Sequence, residues 1–146
     1  MTILFSFGTK QLLKMIRVTC GIIINGNKML AVQRGPNSGH PMKWEFPGGK
    51  INQDESAEQC IVRELKEELN VGVRILKRLE GVDYKYPTTH IELIPFVCAI
   101  ISGELVLIEH IEKYWFNPAD WKTIDWLDAD YELILKNEGL FEQIVG

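Results

Sequence analysis

What this chain has little of narrows it first. Its three cysteines, Cys20, Cys60 and Cys98, are odd in number, widely spaced and without a CxxC pair. They build neither a secreted-type disulfide framework nor a thiolate metal site, and read as reduced core thiols. No apolar run approaches the roughly 20 residues needed to span a bilayer. The segment Met1–Lys14 carries the short apolar run Ile3-Leu4-Phe5 but lacks the long apolar stretch and small-residue cleavage site of a signal peptide. Positive charge is not in surplus: 16 Lys and Arg stand against 20 Asp and Glu, a net charge of −4. Affinity for a polyphosphate backbone rests on surplus Lys and Arg, so a nucleic-acid polymer is not the expected partner. Nothing repeats and no segment is low in complexity. These absences predict a cytoplasmic protein with neither a membrane nor a nucleic-acid partner, either a monomer or a homodimer. An anionic ligand must find its positive charge locally, from a few basic side chains, helix N-termini or bound cations.

What remains is ordinary globular material. With 146 residues, 46% hydrophobic and 25% charged, the chain is long enough for one self-sufficient core. Residues 1–14 read as an N-terminal extension and a candidate for dimer contacts; residues 15–146 read as the domain. Two strands, Val18–Ile24 and Met29–Gln33, flank Asn25-Gly26-Asn27, a hairpin signal because Asn and Gly accept the positive φ of a tight turn. Gly35–Lys43 is a loop, and Trp44-Glu45-Phe46 a short extended piece halted by Pro47-Gly48-Gly49. A helix is expected over Ser56–Leu69, with Asp54, Glu55 and Ser56 as candidate caps. Further strands are expected at Val73–Leu79, Gly81–Tyr86, Thr89–Ile101 (with a break) and Tyr114–Phe116. A turn follows at Pro118-Ala119-Asp120, then a closing helix from Asp128 or Asp130, breaking at Asn137-Glu138-Gly139. The pattern predicts an α+β fold, a mixed sheet sandwiched between helices.

The central helix carries its acids on the wrong face. At about 100° per residue with Glu64 at zero, the apolar Ala57, Cys60, Ile61 and Leu65 all fall within about 100° of it. Glu68 falls near ~40°, inside that stripe, and Glu67 near ~−60°, at its edge. A solubilising acidic face would lie opposite the stripe, and like charges at i,i+4 repel. Convergent carboxylates of this kind suit a hard divalent ion such as Mg²⁺ or Mn²⁺. Arg63, one turn before Glu67, is placed to pair with it or to reach back to Glu55.

Those glutamates sit in a longer pattern. Gly49, five residues, Glu55, seven residues, then Arg63-Glu64-Leu65-Lys66-Glu67-Glu68-Leu69-Asn70-Val71 resembles the Nudix box, G-x5-E-x7-R-E-U-x-E-E-x-G-U. Every fixed position matches except the last glycine, here Asn70. That glycine ends the helix in the left-handed conformation, which Asn tolerates better than other side-chain-bearing residues. Beyond the box the chain is similar to the MutT-like nucleoside triphosphate pyrophosphohydrolases of the family. The matching positions are Trp44-Glu45-Phe46-Pro47-Gly48-Gly49-Lys50-Ile51, Arg34 fourteen residues before Gly48, Tyr84-Lys85-Tyr86-Pro87, Glu109-His110 and Asp130. The likeness covers about Met15–Lys136.

The resemblance implies Mg²⁺-dependent hydrolysis (Mn²⁺ being the alternative) of a (deoxy)nucleoside triphosphate to the monophosphate and pyrophosphate. The expected substrate is 8-oxo-dGTP or a CTP-like nucleotide, in house-cleaning of the nucleotide pool and hence DNA repair. It also implies that Gly48, Glu64, Glu67, Glu68 and Glu109 hold metal. Glu64 is the expected general base, Glu109 its rival, and Arg63 an orienting residue. Arg34 and Lys50 would contact phosphate. Asp130 is either a helix cap or the reader of a base edge rich in donors. Phe46, on the same strand parity as Trp44, either stacks on a base or packs inside, the latter favoured. His40 and His90 read as loop and turn groups. An ADP-ribose or dinucleoside polyphosphate hydrolase is the alternative within the family, and Pro87 does not separate the two. A non-catalytic nucleotide sensor fits less well, because Glu64, Glu67 and Glu68 are all present.

Overall fold

The computed structural model describes residues 14–145; of the extension expected at residues 1–14, Lys14 belongs to the first strand, and the rest, with any dimer contact, lies outside the described residues. The chain runs β1 (Lys14–Asn25), β2 (Lys28–Gln33), β3 (Trp44–Glu45), β4 (Gly48–Lys50), α1 (Ala57–Leu69), β5 (Gly72–Arg78), β6 (Val82–Lys85), β7 (Thr89–Ser102) and β8 (Glu112–Phe116). A 3₁₀ turn at Pro118–Thr123 then leads to α2 (Asp128–Lys136) and α3 (Glu138–Val145). The turn expected at Pro118 is therefore a short helix, because Pro at its start presets the helical φ. Asn137 divides the last two helices, as the sequence implies.

The long strands β1 and β7 are parallel neighbours from Lys14↔Thr89 to Ile23↔Cys98, and the remaining pairings are antiparallel. Gly26, at φ 61°, closes the β1–β2 hairpin. On its other edge β1 pairs with β4 near its middle and with β2 at its end, while β2 also carries β3 and β8. Strand β7 is continuous where the sequence predicts a break. The irregularity lies in its partners instead. Strand β5 shifts register between Ile75 and Lys77, and the chain passes from β5 to β6 opposite Pro95. The Pro95 carbonyl accepts from Leu79 N–H at 3.0 Å, so its ring nitrogen lies on that side, away from β1, and no bond of the parallel ladder is lost.

The sheet is buried on both faces. Met29 and Ala31 of β2 join one apolar cluster with Leu133, Ile134 and Phe141 of the closing helices, while Leu30 and Val32 join another with Ile61, Leu65 and Leu69 of α1. This is the expected mixed sheet between helices. The three cysteines are free and buried. Among the described residues, no helix is long and apolar enough to cross a membrane.

Candidate active site

Helix α1 is held at both ends by its own sequence. Ser56 is the N-cap; its hydroxyl accepts from Gln59 N–H at 3.0 Å, and the Gln59 carboxamide accepts from Ser56 N–H at 2.9 Å, a reciprocal capping box. Asn70 ends the helix at φ 62°, ψ 28°, the left-handed conformation, and its Nδ2 donates to Glu104 O at 3.1 Å. The strand before the helix demands glycine for reasons of space. A Cβ on Gly48 would run into the Thr19 carbonyl oxygen, and one on Gly49 into the Glu64 carboxylate. Gly49 thus lets the backbone lie directly against that carboxylate.

Arg63 gathers four groups. Its Nε and Nη2 take the two oxygens of Glu55 (2.6 and 3.0 Å), its Nη1 donates to Glu64 Oε1 (3.2 Å) and Glu67 Oε1 (3.0 Å), and Nη2 also reaches Lys50 O (3.2 Å). Hydrogen bonding to Arg63 and to Asn52 N–H lowers Glu55 to a pKa of about 2. Both pairings anticipated for Arg63 are made at once. The guanidinium ties the loop before α1 to the helix face, and its role is orientation.

The carboxylates lie as the helical wheel predicts. The Glu64 side chain is 14% exposed and that of Glu67 59%, the stripe and its edge respectively. Burial raises Glu64 above the ordinary carboxylate range, with Arg63 opposing and Glu67 and Glu109 adding to the rise. Glu68 is pushed up to about 9, first by burial and then by the charges of Glu64, Glu109 and Glu45. Its one hydrogen bond from the backbone, Gly48 N–H at 3.3 Å, is long. Glu109 is exposed and has no ion-pair partner among the described residues.

Glu64 and Glu68, both raised by burial and by neighbouring carboxylates, stand in a site short of positive charge. Oxygen donors in that condition fit a hard divalent cation. Among the described residues, no three His, Cys, Asp or Glu side chains are already drawn together into a metal-holding group. Glu64 and Glu67 are instead held by Arg63, and Glu68 by Gly48 N–H.

Beside them opens a cavity of about 410 Å³, within the range of small-molecule sites. Gly48, Gly49, Lys50, Glu68 and Glu109 line one part, and Arg34, Glu45 and His110 another. Tyr86, Leu127 and Asp130 also line it. Glu64 and Glu67 stand next to this wall rather than in it. Lys50 is exposed on β4. Arg34 Nη1 bonds Glu45 Oε1 at 3.1 Å, and Glu45 Oε2 accepts from His110 Nε2 at 2.9 Å.

Asp130 is 4% exposed and is not a cap: α2 begins two residues earlier, with Leu127 at the N-cap position. Its Oδ2 accepts from Phe46 N–H at 2.9 Å, and burial, then Glu45, raise its carboxyl well above the usual range. Phe46 borders the cavity but is 3% exposed, its ring packed among Phe116, Trp126 and Phe141. Its expected place among the substrate contacts is corrected accordingly. The ring is core, as the shared parity with Trp44 favours, and what it offers the site is the backbone N–H that holds Asp130. The His40 ring lies tilted by 47° against that of Tyr86, centroids 4.9 Å apart; His90 lies in β7 rather than in a turn.

Sequence reasoning missed Glu45, His110 and Tyr86 as lining residues. Strand alternation held the signal for Glu45, which must point opposite to Trp44 and Phe46.

Known proteins resemble this chain over most of its length. The NUDIX domain family matches residues 15–136. The 8-oxo-dGTP diphosphatase of Escherichia coli K12 is 33% identical over 81% of this chain and 88% of its own. The CTP pyrophosphohydrolase of the same organism is 32% identical over 84% of this chain and 90% of its own. The crystal structure of the MutT protein from Methanosarcina mazei Go1 superposes with a TM-score of 0.78 at 24% identity, covering 92% of this chain and 98% of that one, a likeness of fold.

Proposed function

The chain belongs to the NUDIX domain family, and on that premise we propose that it hydrolyses (deoxy)nucleoside triphosphates to the monophosphate and pyrophosphate, as a house-cleaning enzyme of the nucleotide pool. The family generally works with a divalent metal; Mg²⁺ is the proposed ion here, with Mn²⁺ as a substitute. The 8-oxo-dGTP and CTP enzymes among its relatives nominate oxidised purine and pyrimidine triphosphates as the first substrates to test. One observation supports the reading: Glu68 of the helix and Glu109 of a distant loop line one cavity of about 410 Å³, whose lining also holds a buried acid, Asp130.

The residues divide the work as follows. Glu67, Glu68 and Glu109, with the Gly48 carbonyl, are the proposed ligands of one ion, and Glu64 of a second. A cation held there would neutralise charge on the phosphates and polarise the attacked phosphorus. Glu64 is the proposed base. Burial lifts its carboxyl toward the range a base needs, and Arg63 and the bare Gly49 backbone fix its direction. Glu109 is the other candidate. Arg34 and Lys50 take phosphate oxygens. Asp130, held by Phe46 N–H, reads the base edge. The buried free thiols suit the reducing cytoplasm, where the nucleotide pool lies.

Glu64→Gln tests the assignment. It keeps the shape and removes the proton acceptor, so turnover should fall at least about a hundred-fold with an unchanged circular dichroism spectrum. Near-normal turnover would remove Glu64 from the chemistry.

A further inference from the structure

The connection between β7 and β8, residues 103–111, has no ladder of its own, yet it carries Glu109 into the site. Its position is inherited from bonds on either side. Upstream, Val106 N–H donates to Leu69 O at 2.9 Å and Ile108 N–H to Glu68 O at 3.1 Å, occupying carbonyls that the end of α1 would leave bare. Downstream, Ile111 N–H donates to Gln33 O at 3.0 Å. Between these anchors stand Glu109, exposed and without an ion-pair partner among the described residues, and His110, whose side chain is only 6% exposed.

Among the described residues the His110 ring makes one polar contact. Nε2–H donates to Glu45 Oε2 at 2.9 Å, while Nδ1 is buried without a partner. An imidazole buried for a single bond is a poor device for stability, because the second nitrogen gives up its water uncompensated. What the bond does achieve is placement. It fixes the residue next to Glu109 to strand β3, and the other oxygen of the same carboxylate is held by Arg34 at the end of β2. The segment is thereby pinned between α1 on one side and the β2–β3 edge on the other, with Glu109 at the middle.

The geometry points to His110 as a positioning residue that, through its bond to Glu45, sets the Glu109 carboxylate against Glu68 and so prepares the metal site. This rests on the reading of Glu109 as a metal ligand. Loss of the bond leaves the ligands present but lets the loop wander, and partners of this outer kind are worth about ten- to a hundred-fold in metal affinity.

The probe is Mn²⁺ alone, its binding to the full chain followed by electron paramagnetic resonance, with no nucleotide present. His110→Ala should weaken Mn²⁺ binding about tenfold, as should His110→Asn, whose amide is too short to reach Glu45. His110→Gln places an N–H donor the same number of bonds from the backbone as Nε2 and should stay within about twofold of the natural protein. Glu45→Ala combined with His110→Ala should weaken binding no further than the stronger of the two single changes. If Glu109→Gln weakens Mn²⁺ binding and His110→Ala does not, the positioning role is overturned while the Glu109 assignment stands. If His110→Gln and His110→Asn weaken it equally, the bond to Glu45 is not the cause and the proposal falls. If Glu109→Gln itself leaves Mn²⁺ affinity unchanged, the ligand reading fails and the positioning role with it.

Discussion

The metal-free protein should lose stability as pH rises through neutrality, the reverse of a protein limited by acid denaturation. The unfolded chain releases the Glu68 proton near 4.5, whereas the folded protein holds it to about 9. Between those values the folded state binds more protons than the unfolded one, so stability falls with rising pH, by at most about 1.4 kcal/mol per unit. From pH 6 to pH 8 that is a ceiling of about 3 kcal/mol, or roughly 6–12 °C in Tm for a domain of this size. Asp130, raised well above its ordinary value by burial, acts in the same sense. Glu55, lowered to about 2, acts only below pH 4.5 and leaves this window untouched. The assay is thermal unfolding at each pH in a chelating agent and again in millimolar Mg²⁺. The ion competes with the proton for the carboxylate, so the slope should flatten or reverse when it is present. Glu68→Gln, a permanently neutral isostere, should flatten the slope without metal and exceed the natural protein in stability at pH 8. An unchanged slope in Glu68→Gln would refute the claim that Glu68 is buried charge awaiting a cation.

Two further changes probe separate links. Asp130→Asn keeps the acceptor for Phe46 N–H but replaces the acid with an amide, so it should reorder the preferred nucleotides more than it slows the best one. An unaltered ranking in competition assays would leave Asp130 a structural residue. Asn70→Ala should cost about 1–2 kcal/mol in urea unfolding, because a Cβ-bearing residue without a local hydrogen bond resists φ 62°. Asn70→Gly should cost less, and equal losses would place the effect in the Glu104 contact instead.

Much of this was legible in the sequence because local rules and the fold agree. The Asn-Gly hairpin, the cap at Ser56 (one of three candidates) and the left-handed Asn70 are fixed by neighbours a few residues away, and each stands where the pattern allows it. The wheel placed Glu64 and Glu68 on the buried face because a helix has one period. What the pattern could not supply were contacts between residues far apart along the chain. Glu45 meets His110 across 65 positions, and Asp130 meets Phe46 across 84. The Asp at a helix start looks locally like a cap; only the approach of α2 to the end of β3 turns it inward. The continuity of β7 past Pro95 was hidden likewise, since a proline is tolerated there only because the partner strand changes at that point. The −4 charge takes on a different meaning too. It turns away polyanionic polymers, yet part of it is concentrated in carboxylates at one site, where a divalent cation would invert its effect on a triphosphate.

The central claim concerns which bond is cut. Phosphorus NMR of 8-oxo-dGTP, CTP and ADP-ribose, each incubated with the full chain and Mg²⁺, decides it directly. The account predicts that a triphosphate is consumed with nucleoside monophosphate and pyrophosphate appearing in equal amounts, and that chelation stops the reaction. A nucleoside diphosphate with orthophosphate, or turnover of ADP-ribose alone, would contradict it.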